Sequence, residues 1–294
     1  MILELFLENS SFNVELIDDS NFYDRIYELE YVREKIIENK EKIYRNDQIY
    51  EMSFLNEKKL WEWLYNDNSS KYKDERLILR KLIDQASSIS DERYIDIIQN
   101  VKNLQAPTPQ ALVCLISDSV ELHITNYNDL LKSYRFYIMR VRTPEEFLEF
   151  VQVCYPNLYF HPKLIESLKT LSAPVNRYII EIDRHLSALN DEFNEIFAAY
   201  RREGLNKVLE VFSSFSKIAC TLEGDSESAR KRFTFDFESN NGETVRLKCE
   251  PHTKIDRTGL PGDSKFRFDR IYFHPGSDNI ADGKILIAHI GKHL

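Results

Sequence analysis

The chain has 294 residues, 43% hydrophobic and 30% charged, a globular balance that argues against disorder. With 39 Lys+Arg against 48 Asp+Glu its formal charge is −9, which weighs against a general nucleic-acid binder because phosphate contacts need clustered cations. No apolar run approaches the roughly 18–20 residues that span a bilayer. The four cysteines, Cys114, Cys154, Cys220 and Cys249, form no CxxC pair, so neither a zinc knuckle nor a disulfide framework is indicated and reduced thiols in a cytoplasm are expected.

The opening Met1-Ile-Leu-Glu-Leu-Phe-Leu-Glu8 has acids within its apolar stretch and no basic n-region, so it reads as a first strand over Ile2–Leu7 and not as a signal peptide. A charged helical stretch is expected at Asn21–Arg45 and a short strand at Gln48–Phe54. Asn56–Tyr65 reads as a helix with Asn56 as N-cap and Leu60, Trp61 and Leu64 on one face. Asp74–Gln85 and Asp91–Asn103 are amphipathic helices, with polar breaks at Asn66–Ser70 and Ser87–Ser90. Ala106-Pro-Thr-Pro109 is a rigid break. Beyond it Ala111–Ile116, Val120–Thr125 and Tyr134–Val141 are β-capable.

Thr143-Pro-Glu-Glu146 opens a helix with Thr as N-cap, Pro at the first helical position and Glu at the third. Cys154–Pro162 is an aromatic-rich turn and Lys163–Leu171 a short helix. From 174 to 219 the pattern is nearly continuous helix. Ile179, Ile182, Leu186, Leu189, Phe193, Ile196 and Phe197 recur at three- and four-residue spacing, with a break at Gly204.

The final segment turns to β. Phe233, Phe235 and Phe237 alternate with polar residues, and Asn240-Asn-Gly242 signals a tight turn. On the return strand Val245, Leu247, Cys249 and Ile255 face one way, and Arg246, Lys248, Glu250, His252 and Lys254 the other. Pro251 implies a sheet edge or a bulge. Phe266–His274 gives a third strand with Arg270, Tyr272 and His274 on one face. Asp282-Gly283 makes a turn, and Lys284–Ile290 is the fourth strand, followed by Gly291-Lys-His-Leu294. From residue 221 onward 12 Lys+Arg balance 12 Asp+Glu, and four of the seven His lie there. The expectation is an α+β protein. Residues 1–173 form a mixed, mainly helical region with a small sheet that regulates or binds a partner. Residues 174–294 form a helix pair followed by a four-stranded antiparallel sheet.

In that module the helices, the hairpin, "PHTKI" at 251–255, "FRFDRIYFH" at 266–274 and "ILIAHIGKH" at 285–293 resemble the RelE/ParE toxin superfamily over about residues 190–294. The resemblance implies a ribonuclease effector that cleaves mRNA on the ribosome without metal or cofactor, in bacterial stress response or anti-phage defence. Lys254 and Arg270 would stabilise the phosphate, and Tyr272, His289 or His293 would handle protons. Family toxins are small, basic and free-standing. This module is neutral and follows a long N-terminal region, which could restrain it in cis.

Weighed from the residues alone, Arg246, Lys248 and Glu250 read as cross-strand ion pairs on a wet face. His252, Lys254, Arg270 and His289 are the candidates for chemistry, since metal-free RNA cleavage needs a base, an acid and phosphate-binding cations. His252, His274, His289 and His293 could also be weighed as metal ligands, but the i,i+4 spacing of His289 and His293 follows a strand, where it implies no shared geometry. His161 and His185 read as structural. No P-loop, GxGxxG, GxSxG or HExxH is present. The alternative to the nuclease is a non-catalytic protein-interaction module with a toxin-like fold. The two part on register. Lys254, Arg270 and His289 should converge on one surface, whereas a one-residue slip would send Arg270 to the opposite face.

Overall fold

Leu5, Phe6 and Leu7 follow one another without a polar residue, a pattern that suits a strand covered on both faces. They form β1 (Glu4–Leu7), and all three are fully buried. The computed structural model describes residues 3–14, 19–55, 57–67, 70–117, 121–223, 232–255 and 269–294. The chain is α+β and divides into two units, Met1–Tyr137 and Ile138–Leu294. No described helix is long and apolar enough to cross a membrane.

In the N-terminal unit β1 is followed by α1 (Asp19–Glu38) and β2 (Lys42–Asn46). Next come β3 (Ser53–Phe54), β4 (Lys58–Lys59), α2 (Leu60–Tyr65) and α3 (Lys73–Gln85). The unit is completed by β5 (Ser87–Ile89), α4 (Asp91–Lys102), β6 (Gln110–Val113), β7 (His123–Ile124) and α5 (Tyr127–Ile138), of which Ile138 opens the second unit. The main sheet has the order β5-β2-β1-β6-β7 and every neighbouring pair is parallel.

Several expectations for this unit are corrected. The helix expected to reach Arg45 stops at Glu38, because Lys40 takes a left-handed conformation (φ 58°). There Glu41 N donates to Ile36 O and Lys40 N to Ile37 O, a helix-ending pattern that frees 42–46 to become β2. The strand expected at Gln48–Phe54 is mostly a 3-10 turn over Asp47–Glu51. The helix expected from Asn56 begins at Leu60, after β4, and Asn56 itself lies outside the described residues. Ser87–Ile89, expected as a break, pairs with β2. Tyr134–Val141, expected as a strand, lies largely in α5. Asn126 Oδ1 accepts from Asp129 N at the start of that helix, and Leu130, Tyr134, Tyr137 and Ile138 bury one helical stripe.

In the C-terminal unit the Thr143 capping box forms as expected and starts α6 (Pro144–Cys154). β8 (Leu158–Phe160), α7 (Leu164–Leu168), α8 (Val175–Asp191), α9 (Phe193–Tyr200) and α10 (Leu205–Ser216) follow. The helical run expected to be nearly continuous is therefore three pieces, with Gly204 at φ +98° before the last. Then come β9 (Cys220–Thr221), β10 (Thr234–Glu238), β11 (Thr244–Lys248), β12 (His252–Lys254), β13 (Asp269–His274) and β14 (Ile285–Lys292). All four cysteines of the chain are free and buried.

The strands do not form one antiparallel meander. β10 and β11 make a separate hairpin, and the larger sheet has the order β8-β14-β13-β12-β9. Its β14–β8 pair is parallel and the rest are antiparallel. The divide at Tyr137/Ile138, rather than at 173/174, follows from this pairing, because β8 belongs to the same sheet as the last strand. Pro251 sits where the chain leaves the hairpin and enters the sheet. One sheet face packs on helices: His185 of α8 meets Thr253, and Phe193 of α9 lies edge-on to Phe273. The hairpin covers part of the other face, where Phe237 and Cys249 join Leu286 and Ala288 in a buried cluster. Beyond β8, Ser167 Oγ and Thr170 Oγ1 accept from Ile290 N and Lys292 N, so α7 and its following turn close the rest of that edge of β14.

Candidate functional site

The register of β12, β13 and β14 settles which side chains share a face. His252 pairs with Tyr272, Lys254 with Arg270, and Tyr272 with His289. Directly opposed residues of antiparallel strands project to the same side, with Cβ atoms about 5 Å apart. His252, Lys254, Arg270, Tyr272 and His289 therefore stand together on the face that carries the hairpin. The strand expected from Phe266 is described from Asp269 onward, and residues 256–268 lie outside the described residues.

Tyr272 is the centre of the group. Its ring stacks on Phe233 at 5.3 Å between centroids, and those of His252 and His289 lie at 5.1 and 5.8 Å. His293, just past β14, folds back to 6.5 Å from the same ring. The phenol O–H donates to Glu223 Oε1 at 2.9 Å. That oxygen also lies 3.4 Å from His252 Nδ1 and 3.3 Å from His293 Nε2. Glu223 follows β9 and was not singled out in the sequence; a lone Glu after a two-residue edge strand carries no pattern that could reveal it.

Burial separates these groups into supports and accessible chemistry. Tyr272, His252 and His289 are 0%, 2% and 6% exposed. Desolvation pushes the Tyr272 hydroxyl well above its ordinary pKa, and Glu223 beside it adds to the rise. Burial outweighs the nearby Glu223 at His252 and lowers it to about 4, with Arg270 and Lys254 acting in the same direction. The ring is neutral near pH 7, with Nδ1 3.2 Å from Glu250 O and Nε2 3.3 Å from Thr221 Oγ1. Burial likewise lowers His289, whose Nε2 donates to Lys292 O at 2.9 Å. The His293 side chain remains 42% exposed. Lys254 and Arg270 are half-buried, and Arg270 Nη1 donates to Asp269 O at 3.1 Å. The arrangement gives one solvent-accessible imidazole held against a carboxylate, beside two directly paired cations.

The remaining sequence candidates are structural. Arg246 pairs with Asp236 across the hairpin at 2.8 Å, the cross-strand ion pair expected of a wet face, whereas Lys248 pairs along its own segment with Glu250 at 2.5 Å. His161 Nδ1 accepts from Lys163 N while Nε2 donates to Asp236 O. His274 Nδ1 accepts from Gly276 N. Among the described residues no group of three or more His, Cys, Asp or Glu side chains is arranged to hold a metal ion.

No protein-family model matches this chain, and no curated protein or solved structure matches it.

Proposed function

We propose that the C-terminal unit is a metal-independent endoribonuclease module of the RelE-like kind that its strand motifs resemble. The observation that supports the reading best is the direct pairing of Lys254 with Arg270 on the face that also carries His293 and Glu223. Two cations on one phosphate spread its charge in the transition state. In this reading Lys254 and Arg270 hold the non-bridging oxygens of the scissile phosphate. His293, positioned by Glu223, takes the proton of the ribose 2′-hydroxyl. The 2′ oxygen bonds to phosphorus, the bond from phosphorus to the 5′ oxygen breaks, and the leaving oxygen takes a proton from the Lys254 ammonium. The products are a 2′,3′-cyclic phosphate and a 5′-hydroxyl, and solvent restores both side chains. Tyr272 and His252 hold Glu223 in place.

A second reading has its own observation. His252, Tyr272 and His289 are buried and already bonded within the fold, as befits a polar support for a protein-binding surface. One experiment separates the two. The full chain is incubated with RNA, free and on translating ribosomes, and the new ends are mapped. The nuclease reading expects 2′,3′-cyclic phosphate ends, lost by about 10²-fold or more in His293→Ala and markedly slowed in Lys254→Met. No cleavage in either setting would refute it and favour the interaction module.

A further inference from the structure

The N-terminal sheet has a feature that the ribonuclease reading does not use. Its strand order reverses direction between β1 and β6, since the chain builds outward to β2 and β5 on one side and to β6 and β7 on the other. In open parallel sheets the loops that follow two such strands part in opposite directions and leave a crevice at their carboxyl ends. Here that crevice is an open cavity of about 530 Å³, within the range of small-molecule sites. Glu8, Ser10 and Asn13 line it from the chain after β1, Ser117 and His123 from the β6–β7 segment, and Lys102 from the end of α4.

The chemistry of the walls narrows the ligand. Glu8 is 5% exposed, yet its Oε1 lies 3.1 Å from Lys102 Nζ and its carboxylate accepts from Ser10 Oγ at 2.7 Å. A buried carboxylate is costly unless it is paired and hydrogen-bonded, and here both conditions are met at the mouth of a cavity. Ser117 Oγ lies 2.6 Å from His123 Nδ1, and burial keeps that ring neutral. The crevice is thus charge-balanced and lined by hydroxyls, an amide, an imidazole and an ammonium. Ile116 is the apolar exception among the described lining residues. The backbone offers little to a phosphate. Ser11 N donates to Glu8 Oε2 at 2.7 Å, Asn9 N to Tyr94 Oη at 2.7 Å, and Glu8–Asn13 contains no glycine. A phosphate would also meet the Glu8 charge. Sugar hydroxyls both donate and accept, which suits a wall that mixes carboxylate, hydroxyl and ammonium groups.

We infer that this crevice binds the vicinal hydroxyls of a neutral pentose, either a free sugar or the ribose of a nucleoside. Lys102, with one of its three donors given to Glu8, supplies hydrogen bonds to the ligand oxygens, and Ser117 and Asn13 complete the ring of contacts. The site lies in a different unit from the proposed nuclease face and stands or falls separately from it.

Saturation-transfer NMR on the full chain tests this with ribose, adenosine and 2′,3′-dideoxyadenosine. Transfer to the sugar protons of both ribose and adenosine is expected, with binding of the dideoxy compound weaker by roughly tenfold or more, about what one well-made polar contact is worth. Transfer to adenosine without transfer to ribose would make the base the determinant and overturn the inference. Lys102→Met and Ser117→Ala should each weaken adenosine binding by a similar factor, while Lys207→Met, on α10 in the other unit, should leave it unchanged. The inference is also overturned if none of the three binds, if the dideoxy compound binds as well as adenosine, if inorganic phosphate displaces adenosine, or if both crevice variants bind like the wild type.

Discussion

His185 turns an acid shift into a measurable loss of stability. Its ring is fully buried, with Nδ1 2.9 Å from Thr253 Oγ1 across the helix–sheet interface. Burial, aided by Arg184, holds its pKa down at about 3. An unfolded histidine takes up its proton near pH 6.5. Between those values the unfolded chain binds one more proton than the folded one. The stability present above pH 6.5 is therefore lost as pH falls toward 3, at about 1.36 kcal/mol per pH unit. Lowering the pH from 7.5 to 5.0 crosses about 1.5 units of that window and costs about 2 kcal/mol. His252, held at about 4, adds a similar loss, so the two together cost about 4 kcal/mol. Replacing His185 with Leu removes one titration. The Thr253 hydroxyl then loses its partner at both pH values, which cancels in the difference. Both tryptophans, Trp61 and Trp63, lie in the N-terminal unit, so fluorescence would report the wrong part of the chain. Hydrogen exchange at the β13 amides, corrected for intrinsic rates, is the suitable readout. The expected result is a pH-dependent loss about 2 kcal/mol smaller in His185→Leu than in the wild type. An equal loss in both would show that His185 is protonated in the folded state, most simply by pairing with Glu181 Oε2 at 3.9 Å, and would refute the reasoning.

Two further substitutions test the packing that supports the site. Gly291→Ala would place a Cβ 2.3 Å from Ser167 O and 2.3 Å from Thr170 Oγ1. Relief requires moving α7 away from β14, so a loss of about 1–3 kcal/mol is expected, read as a lower urea midpoint for the C-terminal unit. Thr143→Ala deletes the acceptor for Glu146 N at the start of α6, and should cost about 1 kcal/mol in the same measurement.

What could be read from the sequence depended on how local the deciding physics was. The Thr143 capping box, α3, α4 and the β10–β11 hairpin are fixed by neighbours a few residues apart, and each appears at or near its expected place. Alternation gave the face of Lys254 and of Arg270 within each strand, but the register that puts them together comes from the pairing of β12 with β13. Of the short parallel strands, β2, β5 and β8 were not legible. β2 sits in a charged stretch whose helical pattern is interrupted only by the left-handed turn at Lys40, and β8 becomes a strand only through β14, more than a hundred residues later. Glu223 reaches Tyr272, His252 and His293 through tertiary folding alone, so no spacing could announce it.

The position of β14 has a consequence for biosynthesis. It is a central strand, flanked by β8 and β13, and every residue from Ile285 to Gly291 is buried. While the ribosome still holds residues 285–292, the β8 edge has no parallel partner and the apolar faces of Ile271 and Phe273 lack their neighbours. Long-range pairings of this kind close late and leave strand edges open in the meantime. The C-terminal unit therefore cannot join β8 to β13 until β14 is available, whereas β9, β12 and β13 can pair before it. The polar face around Tyr272 lacks His289 and His293 until then, so a chain arrested before Ile285 would present adhesive β edges to chaperones and proteases while its site lacked these two imidazoles.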